Sequence, residues 1–290
     1  MYMIYQQIPI LCNYEKTGIQ KKRYQPYLYT YILDNYQEIQ PKRTRPAIII
    51  CPGGGYSMTS FREGEHIAIR FNALGFQTFI LKYSTTPDVF PTAQMELAAS
   101  IAVIRKNAAE WHVNPDKIVL AGFSAGGHLA ASLGVFWNRK LPGGPKCQGK
   151  TFSLAPEGCM SRDIKPNGLI LCYPVISSGE FAHEDSFKKL LKDRYDQLHE
   201  LMSLEKQVTE KTPPSFIWHT FEDTCVPVEN SLLFATALRQ KKVPFELHIY
   251  QPGEHGLGGA NEETINSTGW GIQPECQNWI DMAATWVRNL

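Results

Sequence analysis

The sequence lacks the features that would mark a nucleic-acid-binding or membrane protein. Its 290 residues contain 29 Lys and Arg against 28 Asp and Glu, so the net charge is +1 and no basic composition points to nucleic acid. The longest apolar runs, 47–51 and 169–172, are strand-sized, whereas a transmembrane helix needs roughly 20 residues. Residues 1–10 carry no basic residue ahead of a long apolar segment, so we expect no secretory leader.

Cysteine is sparse and dispersed. Seven cysteines occur and none forms a Cys-x-x-Cys pair, which disfavours both a metal site and a disulfide framework and fits a reducing cytoplasm. Cys147 and Cys159 lie in one Gly- and Pro-rich stretch and would pair only in an exported protein. We therefore predict a cytoplasmic protein that binds no metal.

Apolar residues are abundant enough for a large core. They make up 43% of the chain, and charged residues make up 20%, so disorder is excluded. Six short apolar runs alternate with helix-length amphipathic segments, and we predict strands at 46–51, 76–83, 117–123, 168–173, 215–220 and 245–250. This alternation is typical of an α/β fold with a mostly parallel central sheet and helices on both faces.

Two regions depart from this alternation. Before residue 46, Tyr27, Tyr29 and Tyr31 alternate with other residues, which predicts antiparallel edge strands at the N-terminus. Residues 138–166 and 177–211 interrupt the later part of the chain. We interpret 1–290 as a single domain in which these two insertions lie near the active site.

The strongest motif is residues 122–126, Gly-Phe-Ser-Ala-Gly. It follows an apolar run and precedes an amphipathic helix, as a nucleophile elbow does: the sharp turn exposes the hydroxyl of Ser124 at the top of the sheet. The amide groups that begin the new helix point towards any oxyanion that forms beside this serine. A plain glycine-rich turn is the structural alternative.

A serine needs a base, and eight histidines are available. His255 lies in a glycine-rich loop after the last predicted strand, from which it can reach the strand ends. His128 is one helical turn beyond Ser124 and suits packing or capping better. His219 and His248 fall in predicted strands and are interpreted as structural. The remaining histidines are interpreted as surface residues: His66, His112, His183 and His199.

Asp223 is the predicted acid that orients the base. It follows the predicted strand 215–220 and precedes His255, which gives the chain order Ser, acid, His of α/β-hydrolases. Its neighbour Glu222 is the nearest rival, and Glu180 is a more distant one.

Three glycines follow the first predicted strand and predict an oxyanion hole. Residues 52–56 read Pro-Gly-Gly-Gly-Tyr, and only glycine lets backbone amides approach a substrate so closely. We assign the hole to the amides of Gly54, Gly55 and Ala125. A phosphate cradle is the alternative, but the spacing of a nucleotide-binding loop is missing, so no cofactor is predicted.

Seven motifs in order give the chain a family resemblance: 52–56, 81–83 (Leu-Lys-Tyr), 122–130, 212–214 (Thr-Pro-Pro), 218–220 (Trp-His-Thr), 226–231 and 253–258 (Gly-Glu-His-Gly-Leu-Gly). In these the chain resembles bacterial acetyl esterases of the α/β-hydrolase superfamily, the acetyl-xylan-esterase-like or carbohydrate esterase branch. The resemblance implies an α/β-hydrolase fold and places Ser124, Asp223 and His255 at the triad positions.

The resulting expectation is a serine esterase that removes short acyl groups, above all acetyl groups, from sugars or oligosaccharides. Tyr56, His128 and Trp270 are candidate substrate contacts, although Tyr56 is equally well interpreted as packing on the sheet edge. The expected partner is a small acylated substrate rather than nucleic acid or membrane, and a homodimer is an open option. An amide hydrolase of the arylformamidase or peptidase type and a non-catalytic binding module remain as alternatives.

Overall fold

The six predicted strands belong to one eight-stranded sheet. The structure, a computed structural model, describes residues 3–20, 25–144, 146 and 149–290. Its strands, in chain order, are β1 Gln7–Pro9, β2 Tyr27–Tyr31, β3 Arg45–Cys51, β4 Gln77–Lys82, β5 Val113–Phe123, β6 Lys140–Pro142, β7 Thr151–Ser153, β8 Gly168–Cys172, β9 Ser215–Thr220 and β10 Phe245–Tyr250. The large sheet has the order β1-β2-β4-β3-β5-β8-β9-β10, and β6 pairs with β7 in a separate hairpin.

The direction of each strand confirms the predicted fold class. The strands from β4 through β3, β5, β8 and β9 to β10 are parallel. At the N-terminal edge of this sheet, β2 pairs antiparallel with both β1 and β4. The helices are α1 Glu65–Ala73, α2 Thr92–Lys106, α3 Ala125–Phe136, α4 Glu184–Leu191, α5 Tyr195–Leu198, α6 Glu229–Gln240 and α7 Trp279–Arg288.

Both faces of the sheet are covered, which explains why its strands read as continuous apolar runs. Along β3, Ile48 and Ile50 join the core beneath α1 and α7, whereas Ile49 and Cys51 join the core beneath α2 and α3. Successive side chains of a strand point to opposite faces, so a strand between two helical layers must be apolar at every position.

The first insertion, 138–166, connects the end of α3 to the start of β8 and contains the β6–β7 hairpin. Its described contacts join it to the N-terminal turn and to α2. Gly144 donates to the carbonyl of Thr17, and Arg105 donates to the carbonyl of Asp163. Cys147 lies outside the described residues, so the expectation that it pairs with Cys159 only in an exported protein is not tested. The placement of this insertion beside the site stays a prediction.

The second insertion, 177–211, contains α4 and α5 and lies against α3. Leu204 donates to the carbonyl of Ile176 at its base, and Phe187 packs its ring against the imidazole of His128. Among the helices of the described residues, none combines the length and apolar character of a transmembrane segment.

Candidate active site

Ser124 occupies the turn between β5 and α3. Its backbone is forced into an unusual conformation, φ 52° and ψ −119°, and α3 begins at the next residue. The turn needs a glycine at 126, because a Cβ there would lie 2.0 Å from the carbonyl oxygen of Cys51. Close packing of the turn on β3 thus holds the serine at the carboxyl edge of the sheet, where its side chain stays accessible with 8% of the residue exposed.

His255 reaches this serine from the loop after β10. Its Nε2 lies 2.8 Å from Oγ of Ser124, and its Nδ1 lies 2.7 Å from Oδ2 of Asp223. A carboxylate can only accept, so Nδ1 carries the hydrogen and Nε2 presents a lone pair to the serine hydroxyl. The structure therefore brings together the three side chains that the motifs predict, across 131 residues between the serine and the histidine.

Asp223 is held by donors on both of its oxygens. Oδ1 accepts from the amides of Cys225 and Val226 at 3.0 and 2.9 Å, and Oδ2 accepts from His255. Burial alone would raise the pKa of Asp223, but hydrogen bonds from His219 and His255 hold that pKa below its usual range. The carboxylate is therefore ionised and fixed in orientation at neutral pH.

His219 is a second histidine on the same carboxylate. Its Nε2 lies 2.9 Å from the carbonyl of Val226 and 3.2 Å from Oδ2 of Asp223, and its Nδ1 lies 2.7 Å from Oγ of Ser231. Both neighbours of Nε2 are acceptors, so that nitrogen carries the hydrogen and Nδ1 accepts from the serine. The interpretation of His219 as a buried strand residue agrees with its complete burial; its bond to Asp223 had no signal in the sequence.

The rival acids lie elsewhere. Glu222 is exposed and accepts a long hydrogen bond, 3.4 Å, from the amide of Gly253 in the histidine loop. Glu180 is also exposed. Asp223, by contrast, is 5% exposed and bonds directly to the imidazole.

The glycine-rich loop after β3 lies beside Ser124. Gly54 has φ +122°, and a Cβ there would lie 2.4 Å from the carbonyl oxygen of Met58, so only glycine fits. Within the described part of the chain, no backbone acceptor occupies the amides of Gly54, Gly55 or Ala125. The assignment of these three amides to an oxyanion hole stays a prediction.

Two of the three candidate substrate contacts are buried, which agrees with the packing interpretation of both, and their contact with substrate stays a prediction. Tyr56 is 2% exposed and His128 is fully buried, and the Tyr56 hydroxyl lies 2.8 Å from Nδ1 of His128. The imidazole Nε2 donates to the carbonyl of Met202 at 3.0 Å, so Nδ1 accepts from the tyrosine. Burial lowers the pKa of His128 to about 4.

Trp270 is partly buried at the opposite side of the histidine loop. The guanidinium of Arg62 lies 5.1 Å from the centre of its ring, and the same guanidinium donates to the carbonyl of Gly256 at 3.1 Å. Trp270 thus neighbours the loop that carries His255, and its contact with substrate stays a prediction.

Two residues of the second insertion reach the site. A Cβ at Gly55 would lie 3.7 Å from Oγ of Ser186, and that hydroxyl lies 2.8 Å from Nδ1 of His183. Burial, together with the positive charge that His255 can carry, holds the pKa of His183 below its ordinary value. His183 therefore lies within electrostatic range of the base, although its polar sequence context had suggested a surface residue.

Glu63 was likewise not predicted. It lies in a short 3₁₀ turn, Phe61–Glu63, and the surrounding letters Arg-Glu-Gly-Glu are typical of an exposed charged turn. In the structure its side chain is buried at the site, with 4% of the residue exposed. No sequence pattern distinguishes it from the exposed Glu65 two residues later.

Comparisons with known proteins agree with this architecture. A family model described as BD-FAE matches residues 33–238. The chain is 39% identical to an endo-1,4-beta-xylanase B of Butyrivibrio fibrisolvens over 235 residues, 78% of this chain and 34% of that protein. It is 30% identical to an acetylxylan esterase of Xylanibacter ruminicola over 219 residues, 73% of this chain and 41% of that protein.

A solved structure matches along nearly the whole chain. The acetyl ester-xyloside bifunctional hydrolase of Caldicellulosiruptor lactoaceticus is 34% identical with a TM-score of 0.79, and the match covers 98% of this chain and 96% of that one. The chain spans well under half the length of the two curated relatives named above. The resemblance to esterases of the α/β-hydrolase superfamily is confirmed.

Proposed function

The chain belongs to the BD-FAE family, and we propose that it hydrolyses short-chain acyl esters with Ser124 as nucleophile. The observation that carries this proposal is the unbroken hydrogen-bonded series Ser124–His255–Asp223, with contacts of 2.8 and 2.7 Å. A serine hydroxyl is a poor nucleophile unless a base accepts its proton, and this series supplies the base already oriented.

In the first half of the reaction, Oγ of Ser124 attacks the ester carbonyl carbon while Nε2 of His255 takes the hydroxyl proton. The carbonyl oxygen becomes negatively charged and accepts hydrogen bonds from the amides of Gly54, Gly55 and Ala125. The imidazolium then gives its proton to the departing alkoxy oxygen, so the C–O bond breaks and an alcohol and an acyl-serine result. Asp223 stabilises the imidazolium without taking its proton.

In the second half, a water molecule replaces the alcohol. His255 accepts a proton from the water as the water oxygen attacks the acyl carbon. The same three amides stabilise the second tetrahedral oxyanion. Its collapse releases the carboxylic acid and returns the proton to Oγ of Ser124.

The proposed substrate is an acetyl ester on a sugar or oligosaccharide. Two similar proteins, an acetylxylan esterase and an acetyl ester-xyloside bifunctional hydrolase, support this choice.

The experiment that tests the function measures acetate release from acetylated xylo-oligosaccharides and from p-nitrophenyl acetate, and formate release from N-formylkynurenine. We expect turnover of the two acetyl esters and none of the formamide. Preferential cleavage of N-formylkynurenine would identify an amide hydrolase instead.

Ser124→Ala is the matched control. It removes only the hydroxyl, and we expect a loss of about 10⁴-fold or more in kcat with an unchanged circular dichroism spectrum. Failure of a fluorophosphonate to label the wild-type serine would favour a non-catalytic binding module. Turnover that survives in this variant would reject Ser124 as the nucleophile.

Location and assembly are further parts of the proposal. A cytoplasmic location is supported by the dispersed cysteines, and cell fractionation would test it. A homodimer stays a prediction, and light scattering of the purified protein would test it.

A further inference from the structure

A single turn of the chain connects the two loops that form the site. The turn, residues 60–64, follows the glycine-rich loop and contains Glu63. Ser60 donates its amide to the carbonyl of Gly53 at 3.0 Å, and the amide of Gly53 donates to Oε2 of Glu63 at 2.6 Å. Both polar groups of Gly53 are therefore held by this turn, directly before the predicted oxyanion donors.

The second oxygen of Glu63 reaches the loop that carries His255. The hydroxyl of Tyr173 donates to Oε1 of Glu63 at 2.8 Å and accepts from the amide of Gly258 at 2.9 Å. The ring of Tyr173 lies edge-on to the imidazole of His255, with 5.1 Å between ring centres. One buried carboxylate thus connects the oxyanion loop to the histidine loop through hydrogen bonds on both of its oxygens.

The position of Gly53 makes this connection relevant to the reaction. A Cβ at Gly53 would lie 2.8 Å from Oε2 of Glu63 and 2.9 Å from Cβ of Ser124. The carboxylate is therefore anchored next to the nucleophile, although it touches neither substrate nor the reacting atoms in the proposed mechanism.

Electrostatics favour the same conclusion. Burial raises the pKa of Glu63, and hydrogen bonds from Gly53 and Tyr173, with the charges of His255 and Arg62, oppose that rise. Both oxygens of the Glu63 carboxyl group accept hydrogen bonds, as those of the ionised form do. Its negative charge then stabilises the imidazolium that His255 becomes when it takes the proton of Ser124.

We propose that Glu63 is a positioning residue: its carboxylate holds the oxyanion loop and the histidine loop in register, and its charge favours protonated His255 during the reaction. This inference rests on the proposed ester hydrolysis. It adds a fourth polar side chain to a site that the motifs describe with three.

The test is the substitution Glu63→Gln, which keeps the shape of the side chain but removes the charge and replaces one accepting oxygen with a donor. We expect kcat for p-nitrophenyl acetate to fall about 10- to 100-fold, because the amide donors and the base lose their common support, while KM changes less than about twofold. The acidic limb of the kcat/KM profile should move to lower pH, because His255 loses a neighbouring negative charge.

Other groups near His255 stay unchanged in this variant, so the shift of the acidic limb reports on Glu63. The titratable or charged groups in or facing the histidine loop are Asp223, Glu222, Glu254, Arg62, Tyr173 and His183. Glu63→Asp restores the charge on a shorter side chain, and we expect it to restore the acidic limb even where kcat stays reduced. A purely structural role would not produce this rescue.

Glu65→Gln is the matched control. Glu65 is exposed, accepts from the hydroxyl of Tyr31 at 3.1 Å and lies outside the site, so we expect wild-type kinetics. If Glu63→Gln does not fold, Tyr173→Phe decides: it removes the hydroxyl between Glu63 and Gly258, keeps the charge, and should lower kcat about tenfold with the acidic limb in place.

The outcomes separate this inference from the proposed function. The inference alone is overturned if the wild-type enzyme is active and the folded Glu63→Gln variant keeps kcat within twofold and the same acidic limb. If Glu63→Gln does not fold, an unimpaired Tyr173→Phe variant overturns the inference alone. Absence of any wild-type ester turnover overturns the proposed function and the inference with it.

Discussion

His219 shares its Nε2 hydrogen between the carbonyl of Val226, at 2.9 Å, and Oδ2 of Asp223, at 3.2 Å, the same oxygen that accepts from His255. The two side chains are fully buried, so water cannot replace either partner. Oδ2 of Asp223 consequently contacts two histidines, one that helps to hold the carboxylate and one that the carboxylate orients. A buried donor of this kind also disfavours protonation of the carboxylate.

Removal of the supporting histidine is expected to lower activity without touching the reacting groups. In His219→Gln the rigid imidazole donor is lost, Asp223 gains freedom, and we expect kcat to fall about tenfold. The measurement is steady-state hydrolysis of p-nitrophenyl acetate. His248→Gln, in the neighbouring strand β10, is the control, since His248 bonds only to Glu246 in the described structure. Equal activity of both variants would contradict a supporting role for His219.

The two adjacent acids, Glu222 and Asp223, are expected to differ sharply when neutralised. Asp223→Asn presents an amide that cannot hold Nδ1–H of His255 in place, so the base adopts the wrong tautomer and kcat falls about 10³- to 10⁴-fold. Glu222→Gln should stay within about twofold, because that side chain is exposed and far less closely bound. The comparison uses the same esterase assay, and a reversal of the two effects would move the acid assignment to Glu222.

The oxyanion assignment predicts a defect in turnover rather than in substrate binding. Gly54→Ala forces a side chain into a φ of +122° and against the carbonyl of Met58, so the amides move away from the developing oxyanion and kcat falls about 100-fold. Gly179→Ala is the control, because Gly179 is exposed and a Cβ there meets only Oγ of Ser177 at 3.4 Å. Activity of Gly54→Ala within threefold of the control would show that this loop does not hold the oxyanion.

The buried imidazole of His128 predicts a specific dependence of stability on pH. In the folded protein the pKa of His128 is lowered to about 4, whereas in the unfolded chain the group takes up a proton near pH 6.5. The unfolded state therefore binds more protons between these values, and folding stability from this residue is complete above about pH 6.5 and declines as pH falls towards 4.

The size of this effect is about 3 kcal/mol, from the difference between the two pKa values. Urea unfolding of the wild type and of His128→Gln at pH 7.5, 6.0, 5.0 and 4.5 measures it. We expect the advantage of the wild type to shrink steadily across the series. A difference that stays constant with pH would mean that His128 is not held neutral by burial.

The parts of the fold that could be predicted depend on patterns within short stretches of chain. The strand 215–220 was predicted with the bounds that β9 has, and 245–250 with those of β10, because each is a short run rich in apolar residues between turn segments. The start of β5 was placed too late: the structure extends it to Val113 through the polar residues 114–117, where Val113 still pairs with Arg45. The polar residues gave no signal of a strand there, because the start of β5 is decided by its pairing with β3.

Residues that act through long-range contacts were harder to predict. Glu63 and Tyr173 are 110 residues apart, and neither has a neighbour pattern that reveals a buried hydrogen bond. Tyr56 and His128 were candidate substrate contacts with packing as the other interpretation, and their two polar atoms bond each other in the interior, 2.8 Å apart. Proximity in sequence to a motif does not tell which way a side chain points.

The order of strands and helices, the glycine turn around Ser124 and the order Ser124, Asp223, His255 were all legible in the linear chain. The order of residues along the chain and the turns that require glycine are local properties, so they can be predicted without knowledge of the fold. The partners of these residues were decided only by folding. His219 contacts Asp223, Glu63 connects the two loops, and His183 lies within electrostatic range of the base. Each of these contacts depends on which side chains are buried together. Burial makes an unpaired polar group costly in free energy, so a specific partner becomes necessary.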